Sequence, residues 1–470
     1  MERSSVRSQT ASALAVAAAG ILLGSTFARP AGAQLHPHIV NGTVTASFAS
    51  TGALLIYDDP FPELAALCSG TLIDCRTFVT AAHCVCLGAE DASTCAVNGP
   101  VAPELLRIFL QHAGLFSVDS VAVHPDFSFG TGGDVAVLRL AEPVEDVAPS
   151  AINAVGKPAL GSTGTIVGFG RTLNVLATAS DSGIKREGKV TVADCGGVVP
   201  DETHVCWQFL GTDSSTCSGD SGGPLFLDFG AGPVLAGVTS GGTNDTCDAP
   251  SWSFDTDVWA YSDWIAEQAG EPAGDCSTGN AAGDTFAPLL AAVGSMDKAG
   301  AENRFELTVP AHAGTLRVTL NGQVTSGFGA GMVRNDFDLY VRAGAPPTTA
   351  VYDCADLNAS TFGACAHAPP NAGPWHVLVH SYQGSGLFQV TASVGSASFT
   401  PCVGDCAGDG RVTTDDLVRG VNVALGRSDE QARLAFDDNG DDRVSVDELV
   451  QAVMNALRGC ADDGPDLGRP

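Results

Sequence analysis

Three short segments of this 470-residue chain contain side chains that can act together as a nucleophile and its base. The segment TAAHC (80–84) ends an apolar run on a histidine, and GDVAVL (133–138) begins another apolar run with an aspartate. The third, CSGDSGGP (217–224), places a serine among glycines. A serine hydroxyl attacks a carbonyl carbon when a base removes its proton, and a carboxylate can orient that base. Each segment alone is typical of ordinary structure, so their joint occurrence in the order histidine, aspartate, serine carries the prediction.

These segments resemble those of the trypsin/chymotrypsin-like serine endopeptidases, in particular bacterial secreted members, and the likeness runs from Ile39 to about Ile265. The resemblance implies two antiparallel six-stranded β-barrels with the active site between them. It also implies that Ser221 is the nucleophile, that His83 is its general base and that Asp134 orients the histidine.

The resemblance assigns further residues around this triad. The backbone N–H groups of Gly219 and Ser221 are expected to form the oxyanion hole, and glycine can reach backbone conformations closed to other residues. Ser240 matches the serine behind the aspartate. Ile39 matches the mature N-terminus, whose freed ammonium pairs in this family with the aspartate before the nucleophile, here Asp220.

Activation before Ile39 would require the removal of a short pro-segment, residues 34–38. The residue that precedes the cleaved bond is His38, which argues against activation by a trypsin-like enzyme.

Substrate preference is predicted from the residue six positions before the nucleophile, Ser215, at the expected floor of the pocket. Because this floor has no carboxylate and Gly242 would line an open wall, we expect an apolar or aromatic P1 residue. Asp245 or Asp248 reaching the pocket would reverse this preference.

Fifteen cysteines are typical of an exported, disulfide-bonded protein. The resemblance implies the pairs Cys68–Cys84, Cys195–Cys206 and Cys217–Cys247, and spacing suggests a local pair, Cys354–Cys365. The other cysteines are left unassigned: Cys75, Cys86, Cys95, Cys276, Cys402, Cys406 and Cys460.

The N-terminus has the layout of a secretory signal peptide. Arg3 and Arg7 precede an apolar run over 11–23, and AGA (31–33) offers a cleavage site, with cleavage after Ala28 as an alternative. The apolar run is shorter than the roughly 20 residues of a membrane span. The sequence therefore predicts a secreted protein without a membrane span.

Composition bounds the partners and the fold class. The net charge of −30 excludes nucleic acid as a partner, because such binding depends on Lys and Arg neutralising phosphates. With 44% hydrophobic residues the chain has enough apolar side chains to form buried hydrophobic cores. Its 56 glycines and 25 prolines favour a loop-rich, mainly β architecture. The predicted segments are 1–33 signal peptide, 34–38 pro-segment, 39–269 protease domain, 270–284 linker, 285–395 small β-sandwich, 396–404 linker, 405–460 small α-helical repeat and 461–470 tail.

The region 285–395 alternates apolar and polar residues with period two, which is typical of strands with one buried face. Its segments NDFDLYV (335–341) and GPWHVLV (373–379) resemble the bacterial pre-peptidase C-terminal domain. Such domains accompany secreted proteases and are often removed during maturation. For Asp336 and Asp338 we favour surface turn carboxylates over calcium ligands.

An internal repeat closes the chain, in which 405–427 recurs as 437–459. Each copy is an acidic loop followed by an apolar-periodic helix and resembles an EF-hand of the dockerin type, which implies structural Ca²⁺ and a protein partner. Ca²⁺ takes about six to eight oxygen ligands from a loop of about 12 residues. The implied ligands are Asp405, Asp409, Thr413 and Asp416 in the first copy, and Asp437, Asn439, Asp441, the Arg443 carbonyl, Ser445 and Glu448 in the second.

Two departures weaken this match: Ala407 offers no side-chain oxygen, and Asp442 stands where the sharp turn takes glycine. The alternative is a pair of acidic helix-capping loops without metal.

The sequence as a whole predicts a secreted serine endopeptidase that acts on protein or peptide substrates and carries a calcium-binding C-terminal module. Two other functions remain open at this point. One is a catalytically silent homologue, and the other is a scaffold or adhesion protein that acts through its C-terminal domains.

Overall fold

The computed structural model describes most of the chain from Ile39 onward. The described residues are 39–58, 63–172, 182–244, 246–270, 288–310, 313–324, 335–396, 403–406, 411–427, 429–436 and 443–458. The expected signal peptide and pro-segment lie outside them. No helix in this described part has the length and hydropathy of a membrane span.

The first half of the protease region is a closed barrel. Its strands follow a short β1 and are built from runs rich in β-branched and aromatic residues, such as TFVT (77–80), in which all four residues are buried. The barrel order is β2-β3-β4-β7-β6-β5. The strand bounds are β1 Thr43–Val44, β2 Thr51–Asp58, β3 Glu63–Asp74, β4 Thr77–Thr80, β5 Leu106–Leu110, β6 Gly114–Val123 and β7 Ala136–Leu140.

The second half is a seven-stranded sheet in the order β1-β9-β8-β11-β12-β13-β10. A single bridge between Ala193 and Cys206 joins the chain after β9 to β10. The expected second six-stranded barrel therefore stays a prediction. The strand bounds are β8 Thr163–Gly168, β9 Arg186–Thr191, β10 His204–Phe209, β11 Pro224–Asp228, β12 Pro233–Gly242 and β13 Ser251–Asp257.

Two helices accompany these sheets, α1 (Ala92–Asn98) and α2 (Val258–Ala269). Both begin at an aspartate, as N-terminal capping favours. The carboxylate of Asp91 accepts the Thr94 N–H at 2.7 Å, and that of Asp257 accepts the Trp259 N–H. Helix α2 closes the protease region.

The following region is a sandwich of two four-stranded antiparallel sheets, β14-β21-β16-β19 and β15-β20-β17-β18. Its core residues, which include Val318, Leu339 and Phe388, alternate along the strands as the sequence predicts. The bounds are β14 Leu290–Met296, β15 Glu302–Val309, β16 Ala313–Gly322, β17 Asp336–Ala343, β18 Cys354–Asp356, β19 Phe362–His367, β20 Gly373–Gln383 and β21 Gly386–Ser396.

The favoured interpretation of Asp336 and Asp338 as surface turn carboxylates is wrong, because both lie within strand β17. Asp338 is buried, and its Oδ2 accepts the Tyr340 hydroxyl at 3.2 Å and lies 3.3 Å from Nδ1 of His380. The Asp338 carboxylate is thus satisfied on the face of strand β17 opposite to Phe337 and Leu339, which pack in the core.

The C-terminal repeat forms three helices, α3 (Thr414–Ala424), α4 (Glu430–Phe436) and α5 (Val446–Arg458). They share a small core that includes Val412, Phe436 and Ala452. Only some of the periodically spaced apolar side chains are buried in this core. The other apolar side chains of α3 and α5 are exposed: Val418, Val421 and Leu425, and Val446, Val450, Val453 and Leu457.

Candidate active site

The imidazole of His83 lies on a single 3₁₀ turn, Ala82–Cys84, directly after strand β4. Its Nδ1 lies 2.8 Å from Oδ2 of Asp134, and its backbone N–H donates to Oδ1 of the same carboxylate at 2.9 Å. Asp134 therefore fixes both the backbone and the ring of His83, as the sequence predicts for an orienting carboxylate.

Asp134 is fully buried just before strand β7 and is held from several sides. The hydroxyl of Ser240 donates to its Oδ2 at 2.6 Å, and the hydroxyl of Thr256 donates to its backbone carbonyl. The hydroxyl of Tyr261, on helix α2, accepts the N–H of Gly133 at 2.7 Å. Thr256 and Tyr261 carry no signal of this role in the sequence.

The pair has opposite pKa shifts. Burial lowers the pKa of His83, but the charge and hydrogen bond of Asp134 outweigh it, so the pKa is raised from its ordinary value. Burial raises the pKa of Asp134, but His83 and the Ser240 hydroxyl outweigh it, so that pKa is lowered. The arrangement favours a carboxylate beside an imidazole that accepts a proton readily.

Ser221 lies in the loop before strand β11, and its side chain lines the same pocket as that of His83. In this loop Gly219 has φ +97°, and a Cβ there would lie 2.9 Å from Cα of Gly170. A side chain at this position would be strained and would clash, so the loop conformation depends on glycine here.

Ser69 on strand β3 holds this loop, and nothing in the sequence marks it. Its backbone N–H donates to the Ser221 carbonyl at 2.8 Å, and its hydroxyl donates to the Gly219 carbonyl at 3.0 Å. The same hydroxyl accepts the N–H of Phe169 at 3.0 Å.

The pocket beside Ser221 has a volume of about 280 Å³. Ser240 and Gly242 line it, whereas Ser215 is buried beneath it, with its hydroxyl 2.9 Å from the Ser253 hydroxyl. Asp248 is exposed and is not among the lining residues, and Asp245 lies outside the described residues.

The expected activation residues, Ile39 and Asp220, are both buried. Ile39 is 1% exposed within a cluster that includes Trp207, and the adjacent Val40 bridges to Ser215. The Asp220 carboxylate accepts the N–H of Gly170 at 2.8 Å and that of Cys217 at 2.9 Å.

The structure contains the disulfides Cys68–Cys84, Cys195–Cys206, Cys217–Cys247 and Cys354–Cys365 that the sequence analysis named. It also pairs Cys86 with Cys95, and Cys75 is disulfide-bonded. The Cys68–Cys84 bond tethers the histidine turn, and the Cys217–Cys247 bond joins two walls of the pocket.

The implied calcium loops are described in part. Asp409, Asp437, Asn439 and Asp441 lie outside the described residues, whereas the ends of both loops adopt the same conformation. The backbone N–H of Thr413 donates to Asp416 at 2.8 Å, and that of Ser445 donates to Glu448 at 2.6 Å.

The comparisons with known proteins agree with this geometry. The family model for trypsin matches residues 39–265. Brachyurin of Leptuca pugilator is 30% identical over 236 residues, which cover 46% of this chain and 92% of that protein.

The chain belongs to the trypsin family.

Two other relatives are a chymotrypsin of Phaedon cochleariae, 30% identical over 42% of this chain and 70% of that protein, and CLIP domain-containing serine protease B4 of Anopheles gambiae. The latter is 29% identical over 50% of this chain and 71% of its own length. The trypsin-family domain makes the protein a serine-type endopeptidase, a hydrolase.

Proposed function

We propose that the protein hydrolyses peptide bonds through an acyl-enzyme formed on Ser221. The observation that carries this proposal is the hydrogen-bonded arrangement of His83, Asp134 and Ser240 beside the pocket that Ser221 lines. In the proposed reaction His83 takes the Ser221 proton as its oxygen attacks the scissile carbonyl, and then gives that proton to the leaving amine.

The remaining groups stabilise the charges that develop during the reaction. The N–H groups of Gly219 and Ser221 stabilise the negative oxygen of the tetrahedral intermediate. Asp134 stabilises the imidazolium that forms on His83. A water molecule then attacks the acyl-enzyme. His83 takes a proton from this water and gives it to the Ser221 oxygen as the acyl–oxygen bond breaks.

The experiment that tests this function combines a fluorophosphonate probe with N-terminal sequencing and intact mass of the secreted protein. We expect a chain that starts at Ile39 and carries one adduct on Ser221. A start at Gln34 without adduct would indicate a zymogen. A start at Ile39 without adduct would favour a catalytically silent homologue.

Secretion is part of the proposal, and the five disulfides between described residues support it, because such bonds persist in oxidising compartments. Cleavage before Ile39 would free the ammonium of a residue whose side chain is already buried in the cluster that includes Trp207.

We also propose an apolar or aromatic P1 residue. Ser215 and Ser253 satisfy each other's hydroxyls, so the floor beneath the pocket is neutral. Asp255, two residues further along β13, is fully buried, and burial raises its pKa well above the ordinary value. Burial therefore disfavours the charged form of this carboxylate.

The expected result is a kcat/KM for peptides with Phe or Leu at P1 about 100-fold above that for Lys or Arg, because a buried cation here lacks a counter-charge. Ser215→Asp should shift the preference towards Lys and Arg, and Ser215→Thr, which keeps the floor neutral, serves as its control. A wild-type preference for basic residues would overturn the proposal.

We propose that the repeat binds structural Ca²⁺. The conformation at both loop ends fits such a site: Asp416 and Glu448, the last ligand of each loop, are each 5% exposed. Each uses one carboxylate oxygen to cap its helix, through Oδ2 of Asp416 and Oε2 of Glu448.

Glu448→Gln is expected to weaken Ca²⁺ binding on the order of tenfold, because the number of charged ligands tunes affinity in such loops. Asp447→Asn removes an equal charge at the neighbouring exposed position and should leave affinity within a factor of about two. Calorimetric titration of the full chain measures both. Equal affinities for the two variants would contradict the ligand assignment.

A protein partner for the repeat is a further part of the proposal. Its support is the row of exposed apolar side chains on helix α5, Val446, Val450, Val453 and Leu457, with its counterpart on α3. A pull-down with the full chain in calcium tests it, and capture that is unchanged by Val450→Lys would count against this face.

A further inference from the structure

One sheet of the sandwich, β14-β21-β16-β19, lies directly against the protease domain through buried polar side chains. Asn321 on β16 is fully buried at this contact. Its Oδ1 accepts the Gln111 side-chain N–H at 3.1 Å, and its Nδ2 donates to the Gly183 carbonyl at 2.8 Å. The same Nδ2 donates to Gln389 Oε1 at 2.7 Å, so the amide is satisfied on both sides.

Gln389 on β21 extends this contact into the protease domain. Its Oε1 also accepts the Lys185 backbone N–H at 2.6 Å, and its Nε2 donates to the Thr45 carbonyl at 3.0 Å. Elsewhere in the contact, His112 Nδ1 lies 2.7 Å from the Ser393 hydroxyl.

The approach at Gly183 depends on the absence of a side chain. Gly183 has φ +100°, and a Cβ there would lie 2.1 Å from the Gly322 carbonyl oxygen of the sandwich. Just beside it, the N–H of Val324 donates to the Ser182 carbonyl at 3.0 Å. The sandwich therefore contacts the protease backbone itself at this point.

From Gly183 a chain of hydrogen bonds leads into the active site. The Gly183 N–H donates to the Phe169 carbonyl at 2.7 Å, and the Phe169 N–H donates to the Ser69 hydroxyl at 3.0 Å. That hydroxyl has one proton, and it donates this proton to the Gly219 carbonyl at 3.0 Å. Each link passes through the backbone of one residue, so the chain fixes the positions of Gly183, Phe169 and Ser69 relative to one another.

Aromatic packing follows the same route. The ring of Phe362 from the sandwich packs edge-on against Phe109 with centroids 5.1 Å apart, and Phe109 packs edge-on against Phe169 at 6.3 Å. Phe169 is thus held by hydrogen bonds through its backbone and by packing through its ring.

We infer that the β-sandwich positions the oxyanion hole of the protease, with Asn321, Phe169 and Ser69 as positioning residues. Ser69 fixes the carbonyl of Gly219 and that of Ser221, the two residues whose N–H groups form the proposed hole. Oxyanion stabilisation depends on donors already in place before charge develops. This inference rests on the proposed function, because it concerns the transition state of that reaction.

The test compares Asn321→Leu with the wild type in the full chain. We expect kcat for a peptide substrate to fall about tenfold with KM within about twofold, since even a misplacement near 1 Å can cost up to roughly a hundredfold. The inhibition constant of a peptide aldehyde, which places an oxyanion in the hole, should rise about tenfold. That of the matching peptide alcohol, which forms no oxyanion, should be unchanged.

Two control variants separate positioning from general destabilisation. Ser381→Ala removes a buried hydroxyl that donates to the Gly384 carbonyl within the other sheet of the sandwich. Arg317→Met removes the ion pair with Asp146 across the same contact but outside the hydrogen-bond chain. Both should leave kcat and the ratio of aldehyde to alcohol inhibition constants unchanged, whatever they do to the melting temperature.

The double variant Ser69→Ala/Asn321→Leu closes the test. If the two residues act through one chain, its loss of kcat should not exceed that of Ser69→Ala alone, since coupled sites are not additive. Multiplying losses, equal losses in the controls, or a rise in KM in place of the fall in kcat would each overturn the inference. A wild-type protein without hydrolysis would refute the proposed function instead.

Discussion

Replacing Ser221 by alanine is expected to lower kcat for peptide hydrolysis by about 10⁶-fold, because removal of a triad nucleophile costs roughly this much. Labelling by a fluorophosphonate probe should disappear altogether, since no nucleophile remains to form the adduct. The Ser221 backbone carbonyl still accepts the Ser69 N–H in this variant, so the loop keeps its conformation.

Ser262→Ala provides the matched control for this change. Ser262 lies on helix α2, and its hydroxyl donates to the Trp259 carbonyl at 3.0 Å, away from the pocket. It should keep wild-type kcat and full labelling. An active Ser221→Ala variant with an unchanged melting temperature would show that another group attacks the substrate.

Asp134→Asn is expected to lower kcat by about 10⁴-fold, which is the effect of an imidazole held in the wrong tautomer in triads of this family. An amide can donate towards Nδ1 of His83, which favours the tautomer that cannot accept the Ser221 proton. The amide oxygen then takes the position of Oδ1 and still accepts the His83 backbone N–H, while the Ser240 hydroxyl accepts the second amide N–H where it donated to Oδ2 before.

The same variant should shift the pH dependence of kcat/KM. The reaction needs neutral His83, so activity rises with pH through the His83 pKa, which Asp134 raises. In the wild type the midpoint is therefore expected above the ordinary histidine value. Loss of the Asp134 charge lowers that pKa, and the midpoint moves to lower pH.

Asp119→Asn removes an equal charge from an exposed position of strand β6 and should leave the midpoint and kcat in place. A midpoint that moves upward in Asp134→Asn, or equally in both variants, would contradict the assigned role of Asp134.

The fold and the site differ in how far the sequence predicts them. Runs such as TFVT (77–80) predict their strands because β-branched and aromatic residues favour extended backbone, which is a local signal. His83, Asp134 and Ser240 are found through short segments whose residue types the chemistry requires. In the structure the hydrogen bonds of one carboxylate bring these three side chains together.

Other residues leave no such pattern. Ser69 and Asn321 act through contacts with residues that are distant in sequence, and a serine or an asparagine within a strand is common. The prediction for Asp338 is wrong because a carboxylate is usually exposed, whereas here Tyr340 and His380 bury it on the outer face of its sheet and provide hydrogen-bond partners. Periodicity likewise predicts the helices α3 and α5 but not which apolar side chains, such as Leu425, remain in water.

The buried contact at Asn321 bears on how the enzyme can be shortened or recombined. A chain that ends after helix α2 would expose Gln111, His112 and Phe109 to water, although all three are buried in the full chain. Such a fragment would expose an aggregation-prone apolar surface on the barrel. The side chains of Gln111 and His112 would also lose their hydrogen-bond partners in the sandwich. The smallest unit worth expressing therefore ends after strand β21. A protease domain from a relative can replace this one only if it carries a surface that matches the sandwich.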